Sequence, residues 1–209
     1  MNLTTPRDIW SFRTHLAGAI LSVAATLSLL FSHLDNFLPY LVFGLSAIAL
    51  YTCSAIYHYV QGPPERIKKL RKLDHTMIFV LIAGTYTPII TLTFPPTKAM
   101  IYMIVMWGVT LLGGVMKLLW LQAPRWLYTL LYVAMGWAAV GEIPTFYRST
   151  PSLAIWIIAG GVSYTVGAVF YALKKPNISK EFGFHEIFHV LIIGGTVCHY
   201  VAIANYLPV

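Results

Sequence analysis

Residues 185–206 read HEIFHVLIIGGTVCHYVAIANY, and this stretch decides the fold. After Glu186 it carries no Asp, Glu, Lys or Arg. At 1.5 Å per residue it is long enough to cross a hydrocarbon core of roughly 30 Å. Yet it opens on His185-Glu186-Ile187-Phe188-His189, an H-E-x-x-H pattern. Ionisable groups inside membrane helices are costly, so such residues mark a candidate functional site.

Working outward, six more apolar segments precede it, at about 15–33, 37–60, 73–94, 99–121, 126–143 and 152–173. Each is roughly 18–24 residues, against the ~20 a span needs. Lipid offers no partner to unpaired backbone groups, and these runs are too long and unalternating for barrel strands, so helices are required. The breaks carry turn chemistry: Gly62-Pro63-Pro64, Pro95-Pro96, Pro124, Pro144, Pro151 and Pro176-Asn177. The expected fold is an all-α integral membrane protein, a seven-transmembrane helix bundle forming one domain over residues 1–209. With 58% hydrophobic and 10% charged residues, a soluble domain is excluded. No secretory signal is evident, because the first apolar run is long enough to span and lacks a cleavage site. Cys53 and Cys198 fall inside apolar segments and form no disulfide or zinc-ligand pattern.

The net charge of +7 does not point to nucleic acid. Twelve of the fourteen Lys and Arg residues fall on one side: Arg7, Arg13, Arg66, Lys68, Lys69, Arg71, Lys72, Lys117, Arg125, Lys174, Lys175 and Lys180. Only Lys98 and Arg148 fall on the other. The positive-inside rule places the N-terminus in the cytoplasm and the C-terminus outside. An odd number of spans agrees with this. The sequon at Asn177-Ile178-Ser179 then lies in the cytoplasm, where it is inert.

This topology brings three helix ends to one depth. The second span ends inside with Ser54 and His58. The third begins inside with Asp74, and the seventh with His185 and His189. Residues four apart share a helix face, so His185 and His189 can grip one ion. Three imidazoles suit zinc with a fourth position open for water, whose pKa zinc lowers to about 7. A nearby carboxylate can orient that water and take its proton, and Asp74 fits that role. Ser54, one turn from His58, can hold the water, a ligand or the substrate. Thr196 and His199 continue the stripe of the seventh span, and Thr85 the Asp74 face of the third. His199 lies ~15 Å beyond His189, too far to be a ligand of the same site.

Blander readings stand beside each signal. The polar cluster could be helix glue rather than a metal site. Glu186 points about 100° away from His185; it is either a base, as in soluble zinc proteases, or a solvated headgroup-level carboxylate. His15 and His75 read as structural or solvated groups at the cytoplasmic interface. His33 is expected to be exposed in the outer 1–2 loop. Glu142 is expected at the outer interface, remote from the site.

Ser54-x-x-x-His58, Leu73-Asp74-His75, Ile82-Ala83-Gly84-Thr85-Tyr86-Thr87-Pro88, His185-Glu186-x-x-His189 and His199-Tyr200 together resemble the hemolysin III branch of the progestin and adipoQ receptor family. The similarity covers nearly the whole chain. It implies zinc bound by His58, His185 and His189, a water between zinc and Asp74, and Ser54 close by. It also implies multi-pass residence in a bacterial plasma membrane, with membrane lipids as partners. In the wider superfamily, with its adiponectin receptors and alkaline ceramidases, such sites are linked to hydrolysis of lipid amides. The bacterial branch is named for cytolytic, pore-like activity and is also linked to membrane lipid homeostasis. The short tails match the bacterial members and not the receptors, and Glu186 is not a fixed feature of the superfamily. The leading expectation is a zinc-dependent hydrolase of a lipid amide or ester. The alternatives are a pore-forming or homeostasis protein with structural zinc, and an intramembrane metalloprotease in which Asp74 is a ligand.

Overall fold

A computed structural model describes residues 5–207. Its helices are α1 (Ile9–Ser32), α2 (Phe37–Tyr59), α3 (Pro64–Thr93), α4 (Pro96–Leu119), α5 (Arg125–Gly136), α6 (Ile143–Ser149), α7 (Pro151–Leu173) and α8 (Phe184–Tyr206). They make seven candidate membrane spans, the fifth being α5 and α6 in tandem. No strand occurs among the described residues. The protein is thus a multi-pass integral membrane protein, and leucines and isoleucines such as Ile20, Leu111 and Leu112 stand exposed on its lipid-facing side.

Three elements depart from the expected boundaries, the first being α1, which begins at Ile9 and not near residue 15. α3 begins at Pro64, not near residue 73, so Arg66, Lys68, Lys69, Arg71 and Lys72 lie on helix and not in a loop. Its start is chemically ordinary, with Pro64 in the first turn and Glu65 beside the positive end of the helix dipole. Hydropathy misses it because a charged helix end looks like a loop. At about 45 Å, α3 overshoots the hydrocarbon, so its basic turns project into the cytoplasm.

The expected continuous fifth span, 126–143, is instead broken at Gly136, bridged by a 3-10 turn over Val140–Glu142, and resumed as α6. Pro144 starts that last helix and does not end the span. The break frees backbone groups that lipid cannot satisfy. Tyr86 of α3 reaches across to satisfy two of them: its hydroxyl donates to the Gly136 carbonyl (2.9 Å) and accepts from the Ala139 N–H (3.1 Å).

The helices pack in a ring. α1 lies on α2, α2 on α3, α3 on α5, α5 on α7, α7 on α8, and α8 returns to α1, while α4 flanks α3. Close approach of α2 and α3 depends on Gly84, where a Cβ would fall 2.0 Å from Ser46 Oγ. Leu29, Phe43, Ile90, Phe146, Leu153 and Ile203 close the outer half of the ring with a packed apolar core. The inner half is different: it encloses a cavity of about 150 Å³ lined by Ser54, Asp74, His185 and His189, reaching as deep as His199.

Candidate metal centre

His58 lies in the last turn of α2, and His185 and His189 lie in the first two turns of α8. The structure brings the three together: one ring nitrogen of each lies within 4.8 Å of the others. His58 Nε2 and His185 Nε2 are 3.3 Å apart. Four tetrahedral positions at a zinc–nitrogen bond of about 2.0–2.1 Å are separated by roughly 3.3–3.4 Å, so this pair fits an edge of such a tetrahedron. His58 and His189 are 3% and 2% exposed, so water does not compete freely for their nitrogens.

The far sides of two rings are held by the start of the chain. Asp8 Oδ2 lies 3.0 Å from His58 Nδ1, and Thr14 Oγ1 lies 3.3 Å from His189 Nδ1. A carboxylate only accepts, so the neutral His58 ring carries its proton on Nδ1 and turns the Nε2 lone pair inward. Thr14 Oγ1 donates to the carbonyls of its own helix, Trp10 at 2.9 Å and Ser11 at 3.0 Å. It therefore receives the Nδ1–H of His189, again freeing Nε2. Such outer partners orient metal-binding imidazoles. The backbone docks too, with Asp8 N–H on the His58 carbonyl at 3.0 Å and Arg7 N–H on the Tyr59 carbonyl at 3.3 Å. Burial pushes the Asp8 carboxyl up, but the His58 ring and the Arg7 guanidinium outweigh it and hold the carboxyl below its ordinary value.

Glu186 faces the same outer ring. Its carboxylate accepts from the Gly183 N–H at 2.9 Å, closing the first turn of α8, and from Ser11 Oγ at 2.5 Å. It ties α8 to α1, is half-buried, and stands outside the cluster of candidate ligands.

The inner side is less satisfied. Asp74 is 8% exposed, lines the cavity and stands outside the cluster of candidate ligands. Ser54 Oγ lies beside it, fully buried, yet makes no hydrogen bond of normal geometry among the described residues. His75 Nε2 is 4.0 Å from the Asp74 carboxylate and also lines the cavity. His199 sits at the deep end, with Nε2 3.3 Å from the Ile157 carbonyl. Thr196 is spent on packing: its hydroxyl joins those of Tyr51 (2.6 Å) and Tyr164 (2.8 Å). At the outer end, Glu142 pairs with Lys98 at 2.7 Å, remote from the site as expected. His33 is not simply exposed, since it stacks on Tyr40 with ring centroids 4.1 Å apart.

Sequence reasoning missed Asp8, Thr14 and the place of His15. His15 is no solvated interface group: it is 3% exposed, stacks on His189 at 3.5 Å, and neither ring nitrogen has a protein partner among the described residues. A signal was present. Ser11, His15, Gly18, Ser22 and Thr26 recur every three or four residues, a polar stripe on an otherwise apolar helix, and the structure buries all five.

The sequence matches, over residues 4–200, the family model described as Haemolysin-III related. Similar proteins include the hemolysin-3 homolog of Bacillus subtilis (strain 168), 28% identical across 97% of this chain and 95% of its own length. Hemolysin-3 of Bacillus cereus is 30% identical across 92% of this chain and 88% of its own. Heptahelical transmembrane protein 3 of Arabidopsis thaliana is 28% identical across 77% of this chain, but over only 52% of its own length.

Proposed function

This chain belongs to the haemolysin-III related family, and from the site it builds we propose a zinc-dependent hydrolase of a lipid amide or ester, acting at the cytoplasmic side of the membrane. One observation carries this reading: three histidine nitrogens converge, with the buried carboxylate of Asp74 on the same cavity but outside their cluster. A structural zinc site uses all of its positions on protein ligands, whereas a catalytic one keeps a position open. His58, His185 and His189 would hold the ion. Bound there, zinc would supply a Lewis acid and acidify water at neutral pH.

The chain's own residues do the rest. Asp74 takes the proton of the water that adds to the carbonyl carbon, then passes it to the leaving nitrogen or oxygen as the carbon–heteroatom bond breaks. Ser54 Oγ, beside the Asp74 carboxylate, is positioned to hold the water or the substrate carbonyl. The ring of helices around the cavity excludes bulk water and receives the acyl chain, with Ile78, Ile82 and Ile192 among the apolar side chains lining it.

The test measures metal content and lipid amide hydrolysis on purified protein, comparing wild type, His189→Ala and Asp74→Asn. About one zinc per chain is expected, lost in His189→Ala and kept in Asp74→Asn. Removing a positioned general base lowers the rate by roughly 10²–10⁴-fold. A fully active Asp74→Asn sinks the role of Asp74, and metal-free folded wild type sinks the hydrolase.

A second reading draws on the printed name of the Bacillus cereus relative, a hemolysin. In it the chain perturbs membranes and the metal is structural. Solute leakage from vesicles that survives loss of the histidines would favour it.

A further inference from the structure

The cavity has a second chemical feature, at its cytoplasmic mouth. Arg71 of α3, Lys117 in the last turn of α4 and Arg125 at the start of α5 all line it. Lys117 is the unusual one. It is 3% exposed, and the one contact its ammonium makes among the described residues is the face of Tyr128, 3.6 Å from the ring centroid. Arg125 is braced by the Tyr171 ring at 4.6 Å and by the Tyr171 carbonyl at 3.4 Å. None of the three forms an ion pair among the described residues. Among the described residues Asp74 is the one carboxylate lining this cavity, and it forms no ion pair with any of the three.

The positive-inside rule accounts for cations at this end of the helices, but it asks only for solvated ones. It does not account for a buried ammonium turned toward a cavity. A buried charge is costly unless it is paired. Arg and Lys converging from three helices make a fork and a point charge, the donor set that binds phosphate and carboxylate.

We propose that this mouth is a subsite for an anionic group, phosphate or carboxylate, carried by the lipid that enters the cavity. Arg71 precedes Asp74 by three residues, about 4.5 Å along α3. The anion therefore sits about one helical turn from the carboxylate, on the cytoplasmic side, while the acyl chain runs toward His199. As a statement about substrate this rests on the hydrolase reading, and it narrows that reading to lipids whose acidic group lies a few bonds from the scissile carbonyl. As a binding site it stands without any hydrolysis.

The experiment therefore uses chelator-treated, metal-free protein in maltoside micelles, in which no metal attracts phosphate and no turnover occurs. Tryptophan fluorescence titrations compare oleoyl lysophosphatidate with mono-oleoylglycerol, which differ by the phosphate alone. Wild type is expected to bind the phosphate lipid at least about tenfold more tightly, as for a buried charge-assisted contact. Lys117→Met should remove most of that preference and leave mono-oleoylglycerol binding unchanged. Arg71→Gln provides the same test if Lys117→Met does not fold. Lys98→Met, at the opposite face of the membrane, should change nothing. Equal binding of the two lipids by wild type overturns the proposal, as does an unchanged preference in folded Lys117→Met or Arg71→Gln. Competition by millimolar inorganic phosphate would support a site that takes the free anion as well. Failure to compete, with the lipid preference intact, would support one that needs the acyl chain. If lipid hydrolysis is absent while the preference holds, only the hydrolase reading falls.

Discussion

Asp8 offers the sharpest test of the metal centre, because it touches a candidate ligand and nothing on the substrate side. Its carboxylate lies 3.0 Å from His58 Nδ1 and fixes the tautomer that turns Nε2 inward. Loss of such an outer partner costs about 10–100-fold in metal affinity, or roughly 1.4–2.8 kcal/mol. The Asp8 side chain is 43% exposed, so water can replace part of the contact, which points to the low end of that range. Asp8→Ala should therefore weaken zinc binding about tenfold, and Asp8→Asn, which keeps an acceptor but not the charge, about threefold. Both variants retain the backbone bond from residue 8 to the His58 carbonyl, so the segment stays docked. Competition against a chromophoric zinc chelator at pH 7 measures the order. Wild-type affinity in Asp8→Ala, or a greater loss in Asp8→Asn than in Asp8→Ala, would refute the orienting role.

Glu186→Gln should leave zinc stoichiometry intact and activity within about threefold, since its carboxylate is held by Gly183 and Ser11; abolished hydrolysis with metal retained would make it the base after all. At the α7–α8 contact, Gly195→Ala places a Cβ 2.4 Å from the Tyr164 ring, whose hydroxyl is pinned to Thr196 at 2.8 Å. It should destabilise by about 1–3 kcal/mol, as over-packing does. Gly108→Ala meets nothing within 4 Å and should be neutral. Thermal unfolding in detergent compares the pair, and equal midpoints would show that Tyr164 moves aside.

Much of this molecule was legible from its pattern. Seven apolar runs give seven spans, and H-E-x-x-H with Ser54, His58 and Asp74 gives the inner site, because span length and residue depth follow from counting along the chain. What counting cannot supply is lateral contact. Nothing in a one-dimensional pattern says that Asp8 folds back on His58, that Tyr86 repairs the break at Gly136, or that Lys117 leaves the headgroup level for a cavity. The basic turns of α3 were misread for a related reason: hydropathy reports partition into lipid and is blind to a helix that continues beyond it.

The choice between helix glue and a reactive centre turns on which polar atoms have partners. Glue should be mutually satisfied, because an unpaired buried polar group costs free energy. The Tyr51, Thr196 and Tyr164 hydroxyls meet that standard, closing on one another between α2, α7 and α8. So does the outer ring of Asp8, Thr14 and Glu186. The cavity side does not. Both nitrogens of His15 and Nδ1 of His199 are buried without a protein partner among the described residues, and both residues line the same cavity. The unpaired nitrogens of His15 and His199 on the cavity, beside a triad whose other ring nitrogens are anchored on two of three histidines, set the interior of the cluster apart from its hydrogen-bonded frame. A frame alone would have been enough to hold helices together; an interior of imidazoles and the Asp74 carboxylate around one cavity is what a polar reaction centre needs.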